Sequence, residues 1–267
     1  MKTTIIIPAR FESSRFPGKP LAPLKLKNGL SKPLIQLSWE AANKTKGINN
    51  IFIATDNSKI KEVAESFGAN VIMTSSDCEN GTARCAEAVR LHRIEDEIIV
   101  NFQGDAPLTP NKFVENLIER MQVDRSIYVS TPVLRCGQKH YQQFLNDRKN
   151  DRVGATTAVF DNNNDALYFS KEVIPFLSKT DAKSYSLIPV YHHVGVYAYR
   201  NEVLSKYANW EETPLEKLEG LEQLRFLENA MKVKCVLMQG TGSSFWELNN
   251  PSDIIIIEKI LGELDVR

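Results

Sequence analysis

Thr3-Thr-Ile-Ile-Ile-Pro8-Ala-Arg10-Phe-Glu-Ser-Ser-Arg15-Phe-Pro-Gly-Lys19-Pro20 decides how the chain is read. Thr3 to Pro8 is an apolar run of strand length, with no polar alternation, so it reads as a strand buried on both faces. The loop that follows places Arg10, Arg15 and Lys19 within ten residues. Three cations alone read equally well as a solvated surface loop. Placed after a buried strand, among small residues and a Pro-Gly turn, they read as a grip for a polyphosphate, because charge-assisted hydrogen bonds from Arg and Lys are the strong kind.

Outward from this loop, strands and helices alternate. Asn50 to Thr55 is a β-rich run. A helix follows, with Ile60, Val63, Ala64 and Phe67 at i, i+3, i+4, i+7 and a cap at Asp56, Asn57 or Ser58. Gly68 ends that helix and Asn70 to Thr74 is the next strand. Lys32 to Ala42 reads as a helix with Pro33 in its first turn, Thr82 to Arg93 as another, and Glu97 to Phe102 as a strand. The order predicts an α/β protein with a mostly parallel sheet flanked by helices. Further on, Ser126 to Leu134, Thr156 to Phe160, Ala166 to Ser170 and Val190 to Arg200 read as β. Thr213-Pro214-x-Glu216 is a capping box that opens a helix carrying Leu215, Leu218, Leu221, Leu224 and Leu227. No repeat or low-complexity linker interrupts the chain, which reads as one domain over 1–267.

Composition narrows the function. The 267 residues carry 33 basic and 33 acidic side chains, for a formal net charge of zero, so nothing in bulk charge favours nucleic acid or an anionic membrane. Local cations then serve local anions. Cys78, Cys85, Cys136 and Cys235 show no Cys-x-x-Cys spacing and read as free thiols in a reducing compartment. No leader or spanning segment is visible, which reads as cytoplasmic and without a membrane partner.

In open parallel sheets ligands bind beyond the carboxyl ends of the strands, so the residues after strands carry the chemistry. The first loop is neither a Walker A motif nor Gly-x-Gly-x-x-Gly. Asp105 follows a strand through Gln103-Gly104. Alone it reads as a turn aspartate; beside the cationic loop it reads as a ligand for Mg²⁺, a hard cation that takes oxygen donors. Thr82 reads as an N-cap, and Arg84, one turn inside, as a group able to meet an anionic acceptor. Glu222, between Leu218 and Phe226 on one helical row, is either a satisfied core acid or a polar group facing a pocket. His193, alone among β-branched residues, reads as structural.

Taken together these segments resemble the CMP-Kdo synthetases (3-deoxy-manno-octulosonate cytidylyltransferases). The likeness runs through the first loop, Ile-Ala-Thr-Asp56, Met73-Thr74, Asn80-Gly-Thr-Ala-Arg84, Asn101-Phe-Gln-Gly-Asp105, Ala166-Leu-Tyr-Phe-Ser170, His193-Val-Gly-Val-Tyr-Ala-Tyr199 and Leu221-Glu-Gln-Leu-Arg225. It covers nearly the whole chain in order. The resemblance implies a glycosyltransferase-A-like nucleotide-diphospho-sugar transferase fold, a homodimer, Mg²⁺ as cofactor, and CTP with a sugar acid as substrates for lipopolysaccharide or capsule biosynthesis. It implies that Arg10, Arg15 and Lys19 hold the triphosphate, that Ala9, Gln103 and the Thr74-Ser75 turn lie near the base, and that Asp105 and Asn249 hold the metal. Arg84, His193, Tyr197, Glu222 and Gln223 are implied to line the sugar-acid pocket. Three positions depart from the family pattern. Ala106 stands where Glu is usual, Asn249 where Asp is usual, and Thr157 where members often carry Lys. The departures keep two other readings open: transfer to a different sugar or sugar phosphate, and a nucleotide-binding paralogue without turnover.

Overall fold

The computed structural model describes residues 1–12, 16–152, 155–239, 247–248 and 250–264. In chain order the elements are β1 (Thr3–Ala9), β2 (Pro23–Lys25), β3 (Ser31–Pro33), α1 (Leu34–Asn43), β4 (Asn50–Thr55), α2 (Ser58–Ser66), β5 (Asn70–Met73), α3 (Gly81–His92), β6 (Ile98–Asn101) and α4 (Asn111–Val123). Then come β7 (Val129–Gly137), α5 (Gln138–Lys149), β8 (Thr156–Phe160), β9 (Ala166–Ser170), α6 (Lys179–Ser184), β10 (Leu187–His193) and β11 (Tyr197–Arg200). The chain continues through α7 (Asn201–Tyr207), α8 (Pro214–Glu219), α9 (Leu224–Glu228), β12 (Val233–Met238) and α10 (Asp253–Leu264). A single 3-10 turn, Lys19–Leu21, follows the first loop. Among the described residues no helix is long and apolar enough to cross a membrane.

The chain forms two compact units. The first comprises Met1–Ile118, Ala198–Ala208 and Ser244–Arg267; the second comprises Glu119–Tyr197 and Asn209–Ser243. In the first unit the strand order is β5-β4-β1-β6-β11. β1 lies between β4 and β6 and runs parallel to both. Ile5, Ile6 and Ile7 are fully buried, as the unbroken apolar run requires. Asn57 caps α2 through bonds from Lys59 and Ile60 amides, which resolves the three candidate caps. Asn80, not Thr82, caps α3, because its side chain accepts from the Ala83 amide at 2.8 Å. Pro33 lies one residue before α1 rather than in its first turn: Ser31–Pro33 pairs with Pro23–Lys25 as a small antiparallel ribbon. Gly104 is required for a close approach. A Cβ there would stand 2.7 Å from the Pro8 carbonyl oxygen, so only glycine lets the turn after β6 lie against the end of β1.

The second unit is antiparallel apart from one strand. β10 pairs with β7 and β8, and β8 with β9, all antiparallel, while β12 joins β7 in parallel. The turn Asp161 to Asp165 reaches back to β12: Asp165 bridges Lys234, and the Cys235 amide donates to the Asn164 carbonyl at 2.8 Å. Lys232 and Lys234 both pair with the Asp165 carboxylate.

Two expectations in this unit are corrected. The β-like run Val190 to Arg200 is two strands, broken at residues 194–196, where the backbone turns and the Val196 amide bonds the Val194 carbonyl at 2.7 Å. The leucine-bearing helix after the capping box is also two helices, since Gly220 adopts the left-handed conformation and ends α8. Leu218 is consequently 83% exposed, and Glu222 sits in the turn between α8 and α9, off any helical row. The break is held by a buried bidentate pair. Arg225 Nε and Nη2 donate to Glu216 at 2.6 and 2.8 Å, and Nη1 donates to the Trp210 carbonyl at 3.2 Å.

Candidate active site

The first unit gathers its polar residues where β1, β4, β5 and β6 end. Ala9 is the last, buried residue of β1 and Arg10 is exposed just beyond it. Lys19 comes back on the 3-10 turn, and its Nζ donates to Asp105 Oδ2 at 2.5 Å. The two side chains are 16% and 24% exposed, so the pair is shielded yet reachable. The cation of the first loop and the carboxylate after β6, 86 residues apart, thus meet. Arg15 and Asn249 lie outside the described residues. Beside Asn249 in sequence, the Leu248 amide donates to the Asp105 carbonyl at 2.9 Å, and Leu248 is buried with Leu24, Leu34, Leu108 and Ile257.

Arg84 braces the neighbouring strand ends. It is 3% exposed, with Nη2 on Asp56 Oδ2 at 2.8 Å and Nη1 on Thr74 Oγ1 at 2.6 Å and the Ser75 carbonyl at 3.3 Å. The other Asp56 oxygen accepts from the Phe11 amide at 3.5 Å, at the start of the cationic loop. Asp56 therefore ties the loop to α3, a role the sequence reading did not give it; the available signal was a carboxylate directly after a strand. The Ser75 amide donates to Glu87 Oε2 at 2.7 Å, which also accepts from the Cys78 thiol at 3.0 Å. Burial, reinforced by that bond, pushes the thiol up to about 12, so it stays protonated. Gln103 Nε2 donates to Asn101 Oδ1 at 3.4 Å, and both amides lie under Gly81, where a Cβ would stand 3.2 and 3.3 Å from their nitrogens.

The other expected residues belong to the second unit. His193 is 6% exposed and its Nε2 lies 2.9 Å from Thr131 Oγ1. Burial, with His192 alongside, pushes its pKa down to about 3 and keeps the ring neutral. Its ring meets Phe169 edge-on at 5.0 Å and Tyr197 at 5.5 Å. Tyr197 donates from its hydroxyl to Gln223 Oε1 at 3.0 Å, and Gln223 Nε2 is buried without a partner among the described residues. Three expected pocket residues thus form one cluster of neutral polar groups, with Glu222 next to Gln223 in the turn. Arg84 is in the first unit. Thr157 is buried and structural here, donating to the Glu172 carbonyl at 2.6 Å and accepting from the Ile174 amide at 3.2 Å. Ala106 is fully buried.

The donor set can be tested against Mg²⁺. Among the described residues no three His, Cys, Asp or Glu side chains converge. Mg²⁺ keeps several waters and is commonly held by one or two carboxylates plus substrate phosphates. One partly accessible carboxylate beside a lysine fits an ion of the kind that arrives with a phosphate-bearing ligand.

Known proteins share this sequence and fold. Residues 4–233 match the family model for cytidylyltransferases. The chain is 37% identical over 267 residues to a 3-deoxy-manno-octulosonate cytidylyltransferase of Maricaulis maris, covering 99% of this chain and all of that one. It is 40% identical over 260 residues to an 8-amino-3,8-dideoxy-manno-octulosonate cytidylyltransferase of Shewanella piezotolerans, covering 97% and 98%. The solved structure of CMP:2-keto-3-deoxy-manno-octonic acid synthetase complexed with CTP superposes with a TM-score of 0.82 at 31% identity, over 98% of both chains.

Proposed function

The chain belongs to the CMP-Kdo synthetase family of cytidylyltransferases, and from that premise we propose that it couples CTP to Kdo or its 8-amino derivative, releasing pyrophosphate. The observation that carries the proposal is the contact between Lys19 and Asp105: it brings a cation from the phosphate loop and an oxygen donor for a metal to one point. The acceptor's anomeric hydroxyl oxygen forms a bond to the α-phosphorus, the bond from that phosphorus to the α,β-bridging oxygen breaks, and the hydroxyl proton leaves to solvent.

Such transfer needs position and charge neutralisation more than covalent help. Arg10 and Lys19 hold the phosphates that depart, with Arg15 beside them in sequence. Thr74, Ser75, Ala9 and Gln103 face the base, and the Asp56–Arg84 brace keeps that rim in place. When bound, Mg²⁺ would neutralise phosphate charge, and Asp105 and Asn249 would hold it. His193, Tyr197, Glu222 and Gln223 receive the sugar acid. The proposal includes a homodimeric enzyme whose CMP-sugar feeds lipopolysaccharide or capsule synthesis.

Pyrophosphate release over a matrix of CTP, UTP and dTTP against Kdo, 8-amino-Kdo and sugar 1-phosphates tests it. CTP with one of the two octulosonates gives the highest rate. Faster turnover of UTP or dTTP with a sugar 1-phosphate would overturn the proposal.

A further inference from the structure

We propose that Thr131 is a positioning residue: it fixes His193 as the Nε2-protonated tautomer and leaves Nδ1 as a hydrogen-bond acceptor for a donor group of the sugar acid. The tautomer follows from the geometry, and the ligand half rests on the function proposed above.

The argument counts protons. Thr131 Oγ1 lies 2.9 Å from the Val196 carbonyl oxygen and 3.2 Å from that of Val194. Both partners can only accept, and a hydroxyl has one proton, so that proton goes to the carbonyls. The contact between Oγ1 and His193 Nε2, at 2.9 Å, must then run the other way, with the ring N–H donating to the hydroxyl oxygen. A neutral imidazole has one N–H, so Nδ1 carries a lone pair. The break between β10 and β11 creates this arrangement, because only a turned backbone presents two carbonyls to one side chain of β7.

The ring is held for use. Phe169 and Tyr197 pack against it, and no described group is hydrogen-bonded to Nδ1. The buried Gln223 Nε2, whose amide oxygen is already engaged by Tyr197, has no hydrogen-bond partner among the described residues. An acceptor at Nδ1 takes a sugar hydroxyl or an ammonium and turns away a carboxylate oxygen. His193 is therefore not the group that binds the substrate's acid function.

The test has two readouts. Long-range ¹H–¹⁵N correlation on imidazole-labelled protein without substrate reads the tautomer, with His193→Gln assigning its signal among the four histidines. The expected result is Nε2–H in the wild type and in Thr131→Ser, and loss of that preference in Thr131→Val. Pyrophosphate release reads the consequence. Thr131→Val raises KM for the octulosonate about ten-fold, the scale of one buried hydrogen bond. The Kd for CTP stays unchanged, and Thr131→Ser restores KM. An Nδ1–H tautomer in the wild type overturns the proposal, and so does a Thr131→Val protein with unaltered tautomer and KM. If the valine variant does not fold, the wild-type and serine spectra decide. A wild type with the expected tautomer that turns over neither octulosonate overturns the function proposed above and the ligand half, while upholding the tautomer.

Discussion

The two units hold their expected site residues differently. In the first, charge gathers at the ends of parallel strands and stays partly accessible, as at Lys19 and Asp105. In the second, three of the expected pocket residues are neutral and buried, with His193, Tyr197 and Gln223 linked to one another and to Thr131 in antiparallel strands and a helix turn, and Glu222 half-buried beside Gln223. On the function proposed above, a triphosphate would be met by charge that water can still reach, and a polyol by buried neutral groups whose open hydrogen-bond positions it would fill.

The sharpest way to break this comparison is Asp105→Asn. Turnover falls by about a thousand-fold, the scale for losing one electrostatic contribution to the transition state, because the proposed Mg²⁺ loses a charged ligand. Affinity for metal-free CTP does not fall, because a carboxylate has been removed from beside the phosphates. A near-wild-type rate would show that the charged half does not centre on this residue.

Next in size is a change in the second unit that touches no expected ligand. Glu216→Gln leaves Arg225 buried without its counter-charge and lowers stability by about 3 kcal/mol, as breaking one side of a buried pair does. Urea denaturation measures it. A loss below about 1 kcal/mol, the scale of an exposed ion pair, would show that the pair does not hold the α8–α9 break.

Acid sensitivity should also divide unequally. Burial holds His192 down to about 4 and His193 to about 3, so the unfolded chain takes up these protons first, near pH 6.5. Stability therefore declines as pH falls from about 6.5 toward those values. Asp165 adds to this at lower pH. Burial pushes its carboxyl up, yet Lys234 and Lys232 hold it below the usual range, so its contribution is present above the unfolded value and lost as pH falls through the folded one. Denaturation midpoints at pH 7.5, 5.5 and 4.5 check the slope, and His193→Gln flattens it. An unchanged slope in that variant would place the titration elsewhere.

The smallest effect tests whether the neutral cluster serves the acceptor alone. Tyr197→Phe removes one hydrogen bond to Gln223 and raises KM for the octulosonate several-fold, about 1 kcal/mol, with CTP affinity unchanged. A matching loss in CTP affinity would erase the distinction between the units.

That distinction also explains what could be read from sequence. β1, β4, β5 and β6 announce themselves by local apolar runs, and Lys19 and Asp105 by cations and a carboxylate directly after them. The second unit is written in long-range terms. Thr131 acts on a residue 62 positions away, through carbonyls exposed by a break that Val and Tyr content does not signal. The leucine spacing after Thr213 favours one helix, and only the left-handed Gly220 together with the Glu216–Arg225 pair makes it two. Helices α4, α5, α6, α7 and α10 and strands β2, β3 and β12 are not among the elements read from the sequence, although α4 carries Phe113, Val114, Leu117, Ile118 and Met121, all buried, at helical spacing.

If the proposed function holds, the Lys19–Asp105 contact sets a condition on inhibitors. A purely anionic mimic of pyrophosphate draws Lys19 away and leaves Asp105 facing like charge, so much of its attraction is cancelled. A compound that offers an anion to the lysine and a cation or hydrogen-bond donor to the carboxylate replaces both halves at once. The head group that matches this pair is zwitterionic.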